Sequence, residues 1–567
     1  MKTTTLYQKN YSAFQTYALL DFNINFENDV PSDDIARTVI EITERMNIGK
    51  YVDLSSRRLH GHDAMKLLRC ILLGFADDGY ISTRKLERKT RTDIRYRFLT
   101  GNESIGHSSF QRFMQNDLLH PVEDIFYELN DMIHHDDRID IAADILTIDG
   151  SKFEANANKN TFVWKKSTKR YYMNAWKQFI NLIGRLNAYF RKNGLDVFYS
   201  KIREPNPAYM LEIADRIEKY MESSEIKMVS GKGNKKSAIQ KMYEEMKSLC
   251  IRMYKYMMHF DILQDRNSFS KTDPDATFMH MKWDYYNHTN IFKPGYNVQF
   301  GISGGFIRNI LITSDGNDLP TLIPFLQKYK DRYGKYPSIA VCDAGYGSYD
   351  NYCFCEENNI EYGYIKYSGI YKKNEKITKK NRYLKRHMKR NDEGLFVCPE
   401  GHVFKPVATR TDRRGLYDKV NIQCECAGCR DCPFKSRCTK SAGNRTMTLC
   451  RKLEDFHEHV DASLDTPVGR ELMTARQVFS EGAFGIIKQD YRRTRFKRRG
   501  LKNVSAEMML YFLGLNIAKL FRFFETGTLN KYWVAPEGLK TQEVVKPSWK
   551  KLSKRGSRVH QKYFAKK

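Results

Sequence analysis

Acidic residues are scarce in this chain of 567 residues. Asp and Glu total 67 against 95 Lys and Arg, giving a formal net charge of +28. The N-terminus, MKTTTLYQKNYSAF, has no apolar run, so no secretory signal is expected. A clean membrane span is also missing. The most apolar stretch, residues 508–524, is interrupted by Asn516, Lys519 and Arg522 and reads as a buried amphipathic helix. Twelve cysteines are too few for a disulfide scaffold at this length, and five of them crowd into residues 424–438. That clustering suits a reducing cytosol and a metal site better than disulfides. With 34 Gly and 15 Pro, and no internal repeat, collagen-like and low-complexity readings fail.

What is present is a globular composition, 41% hydrophobic and 13% aromatic, which excludes disorder. The length allows about three or four domains. Positive charge on this scale favours a polyanionic partner, because each phosphate contact releases condensed counterions. A merely basic protein would show the same excess.

Residues 1–135 read as helical. Apolar spacing marks a helix over residues 35–46, Asp63 is an N-cap candidate, and Ser82 opens a further capped helix. A turn follows at Gly101, and Gly106-His-Ser-Ser-Phe starts another helix with Ser/Thr-type capping. Short helices with exposed Arg and Lys suit a helix-turn-helix-like DNA-binding module, and a plain bundle equally. The β-rich run 141–149 ends in Asp149. Residues 160–262 read as a long helical hairpin inserted into the next domain. From residue 296 the period changes to strands, with a hairpin at Ser303-Gly-Gly, a helix over 319–333 and a strand ending in Asp343. Residues 367–470 are basic, Cys-bearing and without long periodic helices. Helices return over 474–490 and 506–525, and the last residues form a basic tail.

Two of these strands end in an isolated Asp, Asp149 before Gly150 and Asp343 before Ala-Gly-Tyr-Gly. A strand end holds its backbone rigid while the side chain reaches the rim of the sheet. Glu481 opens the third candidate segment, with Lys488 two turns later on the same helical face. Three carboxylates from separate segments suit Mg2+, a hard cation that prefers oxygen ligands. Taken singly, each is more often a turn former or a helix-dipole partner.

The motifs around these residues resemble the DDE transposases of bacterial insertion sequences, in the cut-and-paste branch whose core is interrupted before the final Glu. The resemblance rests on Thr147-Ile-Asp149-Gly-Ser-Lys-Phe-Glu-Ala-Asn, Lys271-Thr-Asp-Pro-Asp, Lys293-Pro-Gly-Tyr-Asn, Asn317-Asp318, Cys342-Asp343-Ala-Gly-Tyr-Gly-Ser and Glu481-Gly-Ala-Phe-Gly-Ile-Ile-Lys488. It spans about residues 30–525. It implies an α/β fold with an RNase H-like mixed sheet, preceded by an all-α DNA-binding domain (1–135). The core (140–366 and 471–530) would carry a helical insertion at about 160–262 and a Cys-bearing insertion at 367–470. A flexible tail would follow at 531–567. Asp149, Asp343 and Glu481 would be the catalytic triad holding Mg2+ or Mn2+. The reaction would be hydrolysis at the ends of the element, then attack of the freed 3′-hydroxyl on target DNA. DNA partners would be terminal inverted repeats and target DNA, bound by a homodimer in the cytoplasm and nucleoid, with no membrane role. A related branch carries Tyr-x2-Arg-x3-Glu-x6-Lys. Here Lys488 fits, Thr474 and Gln477 occupy the Tyr and Arg positions, and Arg476 lies one residue off. Asp273, Asp275 and Asp318, in further family-like motifs, are assigned to loop capping or support rather than ligation, and are the alternatives should one of the three main assignments fail. The alternatives are a transposase-derived DNA-binding protein without chemistry, or a nuclease without a joining step.

Cys429-x2-Cys432-x5-Cys438, with Cys398 from a preceding turn, supplies four thiolates for a structural Zn2+. Reduced buried thiols are the competing reading, and Cys424, Cys426 and His402 leave the set ambiguous. Directly after the Glu481 helix, residues 491–500 carry six cations: Arg492, Arg493, Arg495, Lys497, Arg498 and Arg499. With Lys488 and Arg476 they are the candidate DNA contacts.

Overall fold

The computed structural model describes residues 29–54, 61–136, 138–139, 144–231, 235–284, 289–369, 382–527 and 536. The basic tail expected over 531–567 lies almost wholly outside them. The chain divides into two compact units, residues 1–125 with 513–527, and residues 126–512 with 528–567.

The first unit contains the helices Ile35–Arg45, Ala64–Asp78, Thr83–Thr92, Ile94–Thr100 and His107–Arg112. Asp34, Asp63, Ser82 and Asp93 each cap a helix N-terminus by accepting a backbone N–H. Gly101 ends its helix in the left-handed region, at φ +63°, as the turn there requires. The capping expected of Ser108 and Ser109 does not occur. The cap is Gly106, which has no side chain, and Glu87 of a preceding helix accepts from the His107 N–H at 3.2 Å instead. An anion borrowed from another helix satisfies the terminus as well as a local hydroxyl would. Leu68, Ile71, Phe75, Leu86, Tyr96 and Phe110 are buried, while Arg84, Lys85 and Arg88 stand in solvent.

The second unit is built on a six-stranded mixed sheet. Its strands are β1 (Ile145–Glu154), β2 (Thr277–Asp284), β3 (Thr289–Ser303), β4 (Phe306–Thr313), β5 (Ile339–Gly347) and β6 (Ile365–Tyr367). The long β3 pairs antiparallel with β2, β4 and β1; β1 then pairs parallel with β5, and β5 parallel with β6. The expected hairpin is the turn from β3 to β4, where Gly304 and Gly305 take φ of +54° and +79°. Helices α1 (Leu322–Tyr333), α2 (Tyr349–Glu357) and α3 (Arg451–Asp465) share a core with the sheet that includes Leu146, Ile148, Phe325, Tyr352, Phe456 and Val460. After α3 come α4 (Pro467–Gly485) with a π-helical turn over Ile486–Asp490, and α5 (Leu501–Thr526).

Helix α3 falls in a segment expected to lack long helices. Its apolar residues Leu453, Phe456, Val460 and Leu464 follow helical spacing, but the intervening His, Asp and Glu conceal it. The segment read as a helical hairpin is three helices, Lys165–Lys192, Pro207–Ser223 and Ala238–Leu263, around a core of their own. A short ribbon pairing Phe162–Trp164 with Ser268–Ser270 brings the ends of this insertion together. A further module, with a three-stranded antiparallel sheet of Phe404–Asp412, Lys419–Cys426 and Arg445–Leu449, carries the clustered cysteines.

Candidate active site

Neither Asp149 nor Asp343 ends a strand. β1 continues to Glu154 against β3, and β5 continues to Gly347. What ends is the ladder between them. The last parallel pair is Ile148 with Cys342, the residues just before the two aspartates. Beyond it each strand follows a different neighbour, and the register of β5 on β6 shifts between Cys342 and Gly347. The aspartates therefore sit at a fork in the sheet. Backbone N–H groups freed from the ladder turn back on them: Gly150 donates to Asp149 Oδ1 at 2.9 Å, and Gly345 to Asp343 Oδ1 at 2.8 Å.

Helix α4 lays Arg476 across the fork. Its Nη2 is 3.0 Å from Asp149 Oδ1 and 3.6 Å from Asp343 Oδ2, with only 15% of the Arg476 side chain exposed. Burial pushes the Asp149 carboxyl above the usual range; the Arg476 guanidinium opposes this and the neighbouring Asp343 reinforces it. For Arg476, burial disfavours its charge, but Asp149 and Asp343 outweigh that and hold the guanidinium above its ordinary value. One turn further along α4, the buried Ser480 places its hydroxyl near Asp149, where it favours the carboxylate.

A third carboxylate lies close by. Asp318 Oδ1 accepts from Asn297 Nδ2 at 2.7 Å and from Gln299 Nε2 at 2.9 Å, both on β3. The buried Tyr346 hydroxyl donates to Gln299 Oε1, which turns the Gln299 NH2 toward Asp318. The glycines make this crowding possible. A Cβ at Gly150 would fall 2.8 Å from Asp318 Oδ1, and one at Gly345 would fall 2.9 Å from Asp343 Oδ1. Sequence reasoning gave Asp318 a supporting place but missed Asn297, Gln299, Tyr346 and Ser480. Two amides alternating with apolar residues over 296–302 were the available signal.

Glu481 lies within α4, and its side chain falls outside the described residues. Thr474 and Gln477 are exposed, whereas Arg476 faces the acid pair. Lys488 is in the π-helical turn. Its ammonium bonds Ser151 Oγ and the Lys152 carbonyl (3.0 Å) on β1, and stands 4.3 Å over the Phe153 ring. The basic run continues along the end of β1, with Glu154 N–H donating to Thr494 O and Phe496 N–H to Glu154 O, each at 2.9 Å. Its six cations divide into three pairs. Arg495 bonds the carbonyls of Ala155 and Ala157, and Arg499 that of Asn156. Arg492 and Lys497 point into solvent, while Arg493 and Arg498 are half-buried. Asp273 accepts from Tyr296 Oη and the Gly500 N–H, and Asp275 from the Leu501 N–H, so these two tie down the start of α5.

Among the described residues no three His, Cys, Asp or Glu side chains are gathered closely enough to hold a metal ion as they stand. The helix α5 is long and apolar enough to cross a membrane by length and composition, but 78% of its most apolar window is buried in the fold. Cys398, Cys429, Cys432 and Cys438 line one small cavity, together with Cys426 and His402.

Residues 397–521 match the family model described as a transposase DDE domain. This span takes in most of the cysteine module, α3, α4 and most of α5, and leaves Asp149 and Asp343 outside it. No curated protein and no solved structure is matched.

Proposed function

We propose that the chain is a DDE transposase, from the match of residues 397–521 to that domain family, and that Asp149, Asp343 and Glu481 form the acidic centre that cuts and joins DNA. The observation that carries the reading is the fork. Two carboxylates from adjacent parallel strands converge there, and a cation, the Arg476 guanidinium, already lies against both. A donor set of hard oxygens around a bound positive group fits Mg2+ or Mn2+. Asp149 and Asp343 would hold the ions, with Glu481 as the third ligand. The chemistry that divalent ions supply at such a site is polarisation of phosphoryl oxygens and stabilisation of the attacking and leaving oxygens.

The protein's own groups supply position and charge. Gly150 and Gly345 N–H bonds orient the two carboxylates, and the strand order β4–β3–β1–β5–β6 supports an RNase H-like core. Lys488, fixed on β1, and the exposed cations Arg492 and Lys497 beside it would bind phosphates next to the centre. The N-terminal helices would recognise the inverted repeats. The reaction is then hydrolysis at the ends of the element, followed by attack of the 3′-hydroxyl on target DNA by a homodimer.

The test uses the full-length protein with Mg2+ or Mn2+ and duplexes bearing the inverted repeats that flank its gene. Wild type should nick and join, and Asp149→Ala and Asp343→Ala should each lose activity by at least about 100-fold while still binding the repeats. Cleavage surviving both substitutions would sink the assignment. Products without strand-transfer joints would instead identify a nuclease.

A further inference from the structure

The cysteine module plays no part in that chemistry, yet its thiols converge. Cys398 lies in the turn after Phe396–Val397, Cys426 ends the strand Lys419–Cys426, Cys429 and Cys432 follow in the next loop, and Cys438 ends a short helix. All five line a single cavity, and all are free thiols. Three of the sulfurs receive N–H donors. The His402 N–H reaches Cys398 Sγ at 3.3 Å, the Arg445 N–H reaches Cys429 Sγ at 3.5 Å, and Arg445 Nη1 reaches Cys438 Sγ at 2.8 Å. N–H donors aimed at sulfur are the contacts that orient thiol ligands around a metal and support them once it is bound. Cys424 has a different setting, its thiol turned to the Ile422 carbonyl and away from the cavity.

The module also needs a staple. Its apolar cluster consists of nine buried residues, three of them cysteines: Cys424, Cys426 and Cys429. A core this small rarely supports its own fold without a metal or a cross-link.

We propose that Cys398, Cys429, Cys432 and Cys438 bind one structural Zn2+, with Arg445 as the supporting donor to two of the four sulfurs. The thiols line the cavity without closing on a single point, so ligation requires them to turn inward together. Arg445 is anchored for its task by donating to the Tyr383 carbonyl at 2.8 Å. Cys426, at the end of its strand beside Cys429, is the fifth thiol of the cavity and stands outside the proposed set.

The inference is independent of the acid centre, and so is its test. Full-length protein purified without chelator should carry about one zinc per chain by elemental analysis, in wild type and in Asp149→Ala alike. Cys432→Ser and Cys438→Ser should each lose most of it, whereas Cys424→Ser and Cys426→Ser should keep it. Should the serine variants fail to fold, cobalt reconstitution of wild type provides the second measurement. Intense thiolate-to-cobalt absorption with tetrahedral ligand-field bands is expected. Native protein that neither contains nor takes up zinc, octahedral cobalt spectra, or loss of zinc in Cys426→Ser would overturn the assignment.

Discussion

Arg476 shows how much of the candidate site depends on one side chain. It holds Asp149 and Asp343 together at 3.0 and 3.6 Å, so its removal leaves two carboxylates facing each other across a largely buried gap. Arg476→Ala is expected to cost about 2 kcal/mol at pH 7 in urea unfolding. The cost should shrink toward pH 5, because the Asp149 carboxyl is already raised and takes up a proton that relieves the repulsion. A cost independent of pH would contradict this arrangement. His459 offers a cleaner titration. It bonds Glu361 Oε1 at 2.7 Å, and that bond, against the opposing effect of burial, raises the imidazole pKa above 6.5. Because the folded pKa lies above the unfolded one, the stabilisation is complete below pH 6.5 and disappears as pH rises through the folded value. His459→Gln should therefore destabilise by about 0.5 kcal/mol at pH 6, allowing for screening of a partly exposed pair, and by nothing measurable at pH 9.

Secondary-structure elements were legible where a single period governed them. Capped helices such as Ala64–Asp78 and the β3–β4 hairpin announce themselves through side-chain caps and paired glycines. Helix α3 was hidden because its buried stripe is narrow and its other faces are charged. The continuation of β1 past Asp149 was hidden for another reason. Gly-Ser-Lys reads as a turn, and only pairing with β3 makes it strand. Helix α5 carries the clearest element-scale prediction. Burial, helped by the nearby Arg522, pulls the Lys519 amine down to about 8. A lysine with a depressed folded pKa costs stability wherever it must be charged, fully below pH 8 and progressively less up to its ordinary range near 10.5. Lys519→Met should accordingly stabilise by on the order of 1–2 kcal/mol at pH 7, and the gain should fade by pH 10.5 in parallel denaturation curves.

At the scale of the molecule, the net charge of +28 predicts DNA affinity that falls steeply with salt. The structure decides which cations of the run after α4 are available for this. Arg492, Arg495, Lys497 and Arg499 are all exposed, but Arg495 and Arg499 are spent on main-chain carbonyls at the end of β1. The double substitution Arg492→Ala with Lys497→Ala should lower the slope of log K against log salt by about 2, measured by fluorescence anisotropy, and leave thermal stability nearly unchanged. An unaltered slope would remove this segment from the DNA-binding surface. The sequence by itself pointed to a polyanionic partner through its charge, to a resemblance with transposases through ordered motifs, and to a cluster of cysteines, because composition and short-range spacing are properties of the chain alone. Tertiary structure alone decided that Asp149 and Asp343 meet at a fork where one ladder ends, that Arg476 rather than Gln477 faces them, and that Asn297, Gln299 and Tyr346 support Asp318 beside them. Those contacts join residues up to hundreds of positions apart, and which of them form depends on strand register and packing, which no local pattern in the chain encodes.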